Sequence, residues 1–595
     1  MKNNICSFGK VATITGIAAS VCFALPKSSE LVSDMGLGYN IGNTMEVPSN
    51  PTAWGNPFPD AAYVKAIKTA GFGTVRIPCA WDSHANGGTI NAGWLDSVKT
   101  VVDLVINNGM YAILNSHWDN GWLEDHVFDG EGYDKSGLVT SSAATVATKQ
   151  QNYWKQIADK FKEYDEHLIF ASANEPGVND PWNGGADNGQ WAFDATRMQV
   201  LKQFHEACIK GVRSSGGNNA TRTIVVQMPR TEIDKYELLA NNYPADEAGN
   251  GYTMAEAHFY PYQLTLMTAD EDWGGVFYYW EDVTTGDTKR TCSGTSLGSK
   301  KSIDSQFDKL KNAFTSKGIP VVIGEMGSIK RLNALTGDNL KKHLEARAAW
   351  YGYTVKSAKE RGIIPCVWDT GDEGDGNFTI IRRQTNKFGG NVGDIVDVET
   401  LNSMLTAYGQ ATYEGQSNLD SLVQASTDES NKMLEVTYTS KTADSSETGT
   451  IRINMKSAKW SDYVAISFDA KINVESAGPC TDETKEGCNG SAWATVAAFV
   501  MSGDKWDWAD YNFDASEIDA GWKTYKLAIG ADGLNIQNKD TVNAFGINVY
   551  GPQVGGTIDL DNILLYKADG STVVLQNFDK TNASLDILKL CANAS

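Results

Sequence analysis

The feature that most constrains this chain is an alternation running from residue 31 to residue 410. Eight short apolar runs recur there, at 35–42, 74–78, 111–117, 168–175, 223–228, 256–260, 321–325 and 363–368. Between most of them lie amphipathic stretches of helical character, at 94–108, 146–162, 192–213, 303–316 and 340–361. Gly71, Gly109, Gly318 and Gly362 stand where a helix would end and the next run begin, as helix C-caps do. Eight strands alternating with helices predict an α/β fold, a (β/α)8 TIM barrel with enlarged loops. A doubly wound sheet is the alternative, but no glycine-rich nucleotide fingerprint follows the first run.

The pattern changes after the barrel. Residues 411–430 read as a polar linker, and period-two runs follow at 463–473, 493–501, 522–529, 545–550 and 558–566. In the first of these Val464, Ile466, Phe468, Ala470 and Ile472 share one face. An all-β, jelly-roll-like sandwich over 431–580 is expected.

At the other end, Lys2 and Lys10 precede a small-residue apolar run from Val11 to Ala24, which reads as a signal peptide over 1–24. The run is too short to cross a bilayer, and no later segment qualifies. A secreted protein is the expectation. An exported chain can hold disulfides, and Cys480 and Cys488, bracketing a polar loop, are the expected pair. Cys79 and Cys366 lie in apolar runs and read as buried thiols.

In a TIM barrel the reactive groups end the strands. Here those positions carry Arg76, His117, Asn174, Glu175, His258, Tyr260, Glu325 and Trp368. Charge or imidazole is costly there if merely packed. Two carboxylates from the fourth and seventh runs suit glycoside hydrolysis, in which one carboxyl protonates the leaving oxygen and the other attacks or activates water. Arg76 and Tyr260 are placed to hold Glu325 ionised, and Asn174 to bind a sugar 2-hydroxyl. His117 and His258 as metal ligands would make the rival, a metal-dependent hydrolase. No HxH pair or Lys/Asp set completes such a site, so no metal and no cofactor are expected.

In this order and on these runs, the eight residues resemble glycoside hydrolase family 5. The resemblance implies a retaining mechanism with Glu175 as acid/base and Glu325 as nucleophile. It also implies that His117 and His258 organise hydrogen bonds around the sugar and that Trp368 forms a stacking floor. The opening GYNIGNTMEV and TAWGNP segments are similar to the endo-β-1,4-glucanase and xyloglucanase branch, which would put Asn43 and Trp54 on the glycone side of the cleft. Trp81, Trp118, Trp122, Trp182, Trp273 and Trp280 are further aromatics near strand ends, each either a sugar platform or loop core. His84, His126, His167, His205 and His343 read as solvated or capping residues.

The net charge of −22 disfavours nucleic acid and anionic membrane as partners, and leaves a neutral β-glucan polysaccharide acceptable. A monomer is expected. Most of the seventeen tryptophans read as core and the remainder suit sugar stacking; Trp506 and Trp508, two apart, with Trp493 and Tyr511, are either an exposed glycan platform on the sandwich or a hydrophobic core or edge. The reading from the residues and the resemblance together is a secreted endo-β-1,4-glucanase. The alternatives are a xyloglucanase, a mixed-linkage glucanase, a β-mannanase or, in another class, a non-catalytic glycan-binding protein.

Overall fold

A computed structural model describes residues 24–131, 143–177, 193–385, 390–415, 419, 434–439, 448–476, 478, 493–514, 517–552, 554–576 and 586–591. The expected signal segment apart from Ala24, Trp182 and the Cys480–Cys488 pair lie outside these residues.

Each of the eight apolar runs falls on one strand of a closed parallel barrel, the sixth strand beginning three residues before its run and the seventh ending one residue beyond it. The strands are β1 (Gly38–Asn40), β2 (Thr74–Ile77), β3 (Tyr111–Asn115), β4 (Leu168–Ala171), β5 (Ile224–Gln227), β6 (Thr253–Phe259), β7 (Val321–Met326) and β8 (Ile363–Val367). The barrel closes through β1 pairing with both β2 and β8. Alternate residues face inward, as the period of two requires. Ile113, Ile169, Ala171, Val225, Met254, Val322, Ile364 and Cys366 form the inner apolar plug. Their neighbours Leu114, Phe170, Val226 and Ile323 pack against the surrounding helices. One layer above the plug, toward the strand C-termini, the inward residues turn polar: Arg76 on β2 and Glu256 on β6, both fully buried.

The helices carry the signals that shape them. Ala92–Asn107 begins with Asn91 accepting from the Gly93 and Trp94 N–H groups, and Gly109 beyond it has φ +67°. Its buried stripe of Trp94, Val98, Val101, Val102 and Val105 covers the barrel wall.

Beyond the barrel, antiparallel strands form two sheets: β9 (Leu434–Thr439), β10 (Thr448–Ala458), β11 (Tyr463–Ser476), β12 (Thr495–Ser502), β13 (Asp507–Phe513), β14 (Lys523–Ala528), β15 (Val542–Tyr550), β16 (Val554–Lys567), β17 (Thr572–Gln576) and β18 (Asp586–Cys591). One sheet runs β9-β16-β11-β14 with β17 beside β16, and the other runs β13-β12-β15-β10-β18. Their inner faces share a core in which Phe468 of β11 meets Phe545 of β15, ring centroids 5.7 Å apart. This is the face-to-face packing of a β-sandwich.

One expected face is corrected. Ile466, Phe468, Ala470 and Ile472 are buried, but Val464 is 46% exposed. The pairing of β11 with β16 shifts register between Tyr463 and Ala465, which turns Val464 outward. The buried thiols are as expected: Cys79 and Cys366 are free and fully enclosed. Among the described residues no helix is long and apolar enough to cross a membrane.

Candidate active site

Arg76 is the hub of the polar layer. Its guanidinium meets Glu325 Oε1 at 2.9 Å and Glu256 Oε1 at 3.1 Å, and donates to Asn174 Oδ1 at 2.7 Å and Asn40 Oδ1 at 3.1 Å. Burial alone would weaken its charge, but Glu256 and Glu325 outweigh burial and keep it a cation. His258 bridges the acidic groups from β6. Its Nδ1 lies 2.7 Å from Glu175 Oε1 and 3.7 Å from Glu325 Oε2, and its Nε2 lies 3.2 Å from Glu256 Oε1. Burial lowers this imidazole, yet Glu325, Glu175 and Glu256 together push it up to about 10. Near neutrality His258 is therefore an imidazolium.

Glu256 is buried and burial would raise it, but Arg76 and then His258 hold its carboxyl below the usual range. Burial raises the Glu325 carboxyl against the opposing pull of His258 and Arg76. Arg76 and His258 are thus two buried cations set among the carboxyls of Glu175, Glu256 and Glu325. One oxygen each of Glu175 and Glu325 and a His258 nitrogen lie within 4.8 Å of one another. This trio could in principle offer three ligand atoms to a cation, but an imidazolium beside a guanidinium opposes one.

The two carboxyls meet different surroundings. The Tyr260 hydroxyl donates to Glu325 Oε2 at 3.2 Å, and burial followed by the Glu325 charge keeps that phenol protonated. Glu325 is almost enclosed, whereas the Glu175 side chain is 26% exposed and faces the opening.

Of the sequence-predicted residues, Arg76, Asn174, Glu175, His258, Tyr260 and Glu325 are joined in this one network. His117 and Trp368 stand together beside it, rings parallel at 5.9 Å. Burial, then Arg76 and His258, drive His117 well below its ordinary value, and Asn115 Nδ2 donates to its Nδ1 at 3.2 Å. The Trp368 indole lies against Gly42, where a Cβ would come within 2.7 Å of the ring. Asn43 adopts φ 55°, and its carbonyl accepts from Asn56, which also reaches the Thr370 carbonyl in the loop after Trp368. Trp54 is 56% exposed and outside the carboxylate network.

Of the further tryptophans, Trp81, Trp122 and Trp280 take the core alternative, whereas Trp273 is 64% exposed. The expectation for two histidines is corrected. His205 and His343 are neither solvated nor caps. His205 bridges the Ser172 hydroxyl and the Gln227 carbonyl, and His343 accepts from the Arg331 N–H and lies 2.9 Å from the Tyr278 carbonyl. Burial lowers them to about 4 and about 3, so both are neutral.

Sequence reasoning missed Glu256, Gln227, Asn40 and Glu124. Glu256 had a signal, since it precedes His258 and Tyr260 at a spacing of two and so shares their face. Gln227 donates to Glu256 Oε2 at 2.6 Å, and Asn40 ties Arg76 to the Gly324 and Val367 carbonyls. Glu124 lies in the loop beyond β3, where no periodicity points to it.

A TIM barrel that brings two carboxyls of unlike environment together at its C-terminal mouth defines the class of barrel glycosidases. The model of the cellulase family, glycosyl hydrolase family 5, matches residues 39–374, and the chain belongs to that family. It is a glycoside hydrolase of the cellulase type. It is 31% identical to Endoglucanase A of Clostridium longisporum over 415 residues, 67% of each chain. It is also 32% identical to a xyloglucan-specific endo-beta-1,4-glucanase of Bacteroides ovatus over 361 residues, 58% of this chain and 65% of that protein. Among solved structures, a family 5 xyloglucan-specific beta-1,4-glucanase from a ruminal metagenomic library superposes with a TM-score of 0.55 at 32% identity. The match covers 66% of this chain and 99% of that one.

Proposed function

We propose that the protein is a secreted endo-β-1,4-glucanase that cleaves plant cell-wall β-glucan by double displacement with retention. The observation that carries the mechanism is the closeness of Glu175 and Glu325, with oxygens inside 4.8 Å. Retaining enzymes need carboxyls about 5–5.5 Å apart, whereas inverting ones leave about 6.5–9.5 Å for a water.

In the first step Glu325 attacks the anomeric carbon while Glu175, as the acid, gives its proton to the departing oxygen. In the second, Glu175 takes a proton from water, which displaces Glu325. Arg76 and Tyr260 address Glu325 and steady its charge as it leaves. Asn174, held by Arg76, is placed for the 2-hydroxyl, and Trp368 for the face of the sugar. The endoglucanase names of relatives support a β-1,4-glucan substrate. Xyloglucan is the second reading, supported by the xyloglucan-specific relatives and structures.

For the sandwich we infer glycan binding, supported by Trp506 and Trp508, which are 43% and 46% exposed. Trp508 stacks on Phe499 at 4.2 Å, which presents its outer face flat to solvent. Such a module would raise the effective concentration of the barrel at its polymer.

The test is a panel of cellulose, barley glucan, xyloglucan and mannan, read as reducing ends and product sizes. A flat time course on every β-glucan would sink the proposal. Full activity on soluble glucan with unchanged adsorption after Trp506→Ala and Trp508→Ala would sink the binding role.

A further inference from the structure

Glu175 sits in a tight turn over residues 174–177, and Pro176 within it has no N–H. Three backbone donors remain, and all three go to one residue. Glu124 Oε1 accepts from the Asn174 N–H at 2.8 Å and from the Glu175 N–H at 2.6 Å. The Glu124 carbonyl accepts from the Gly177 N–H at 3.0 Å. On its other side the turn is held by Arg230, whose backbone N–H reaches the Pro176 carbonyl and whose Nε reaches the Gly177 carbonyl, both at 2.9 Å. Glu124 is 1% exposed, and among the described residues its Oε2 has no hydrogen-bond partner. A buried carboxyl placed this way is costly unless it serves the two amides it meets.

We propose that Glu124 is a positioning residue for the acid/base: by taking every N–H of the 174–177 turn it fixes the direction in which the Glu175 carboxyl meets the departing oxygen. This rests on the reading of Glu175 as acid/base. Burial, then the nearby Glu175 charge, with Asp125 adding to them, raise the Glu124 carboxyl to about 8 against the two N–H groups. Below that pH it is a neutral acid, which holds the turn through Oε1. The lever is short, and a misplacement of about 1 Å in a proton donor costs on the order of 10²-fold in rate.

The test compares three variants on two substrates. Glu124→Gln keeps a neutral acceptor, Glu124→Asp draws it back by one methylene, and Glu124→Ala removes it. Barley glucan has a sugar alkoxide leaving group that needs a proton, whereas dinitrophenyl β-cellobioside does not. The Ala and Asp variants should lose ~10²-fold in kcat/KM on the glucan and less than ~5-fold on the aryl glycoside. The Gln variant should stay within a few-fold of wild type on both.

Equal losses on the two substrates would overturn the proposal, because they mark a general structural defect. Unchanged glucan hydrolysis in the Ala and Asp variants would overturn it too, as would a Gln variant as impaired as Ala. Should Glu124→Ala not fold, the Asp and Gln variants make the same comparison. A wild type inactive on both substrates would sink the hydrolase reading itself, an outcome distinct from a variant-specific failure.

Discussion

Glu325 and His258 stand side by side because β7 carries one residue more than β6 between two successive pairings. Ile323 pairs with Ala257 and Glu325 pairs with His258, so Gly324 is the extra residue of a bulge. Regular alternation would send Glu325 outward with Ile323, away from Arg76. The bulge turns it inward, onto the face that Glu256 and His258 share. Gly324 also has to lack a side chain, since a Cβ there would fall 1.8 Å from Glu256 Oε1.

Gly324→Ala is therefore expected to damage the site out of proportion to its size. Overpacking in a filled interior costs about 1–3 kcal/mol. Glu256 must move, and with it Arg76 and His258. Urea unfolding should show a loss in that range, while glucan turnover falls by at least ~10²-fold, as a displaced catalytic group predicts. Native turnover in a folded Ala variant would refute the account of the bulge.

The roles of the two carboxyls are separable by rescue. Glu325→Ala should lose nearly all turnover, and azide should then yield a glycosyl azide of inverted configuration. Glu175→Ala should lose ~10²–10⁴-fold on glucan, with azide giving the retained product. The opposite stereochemistry would mean that the assignments are exchanged.

Arg76→Met tests the hub. Removing one partner of a buried ion pair leaves uncompensated charge and costs about 3–5 kcal/mol. Here Glu256 and Glu325 both lose one of their two cations and keep only His258, so a fall in unfolding free energy at pH 7 should accompany lost activity. A variant as stable as wild type would show that the layer is not held by Arg76.

His258 gives a pH window. Its folded value of about 10 lies above its ordinary 6.5, raised by the three carboxylates against burial. The stability it contributes is fully present below about 6.5 and is lost as pH rises through 10. The gap in unfolding free energy between wild type and His258→Gln should be widest near pH 6 and narrow by pH 10. A gap that widened with pH would contradict an imidazolium at this position.

Eight periodic runs, the residues ending them and the glycines between runs and helices were enough to predict the barrel. Local patterning carries that information because strand alternation and helix capping are decided within a few residues. The sandwich was legible where β11, β12, β14, β15 and β16 alternate. β9, β10 and β13 were missed, although Leu434, Val436 and Tyr438 in β9 and Ile451, Ile453 and Met455 in β10 alternate with polar residues. His205 and His343 were misread because burial comes from neighbours distant in the chain.

What the sequence determined by itself was the fold class and the identity of the paired carboxyls with their arginine, histidines, tyrosine and tryptophan. Tertiary structure decided how they act. The inward turn of Glu325 depends on a register shift against β6, and the charge of His258 depends on Glu175 and Glu325, brought in from the ends of β4 and β7, together with Glu256 of its own strand. The anchoring of Glu175 depends on a loop residue about fifty positions away. These are energies of juxtaposition, set by distance and burial across the barrel, and no local pattern in the chain encodes them.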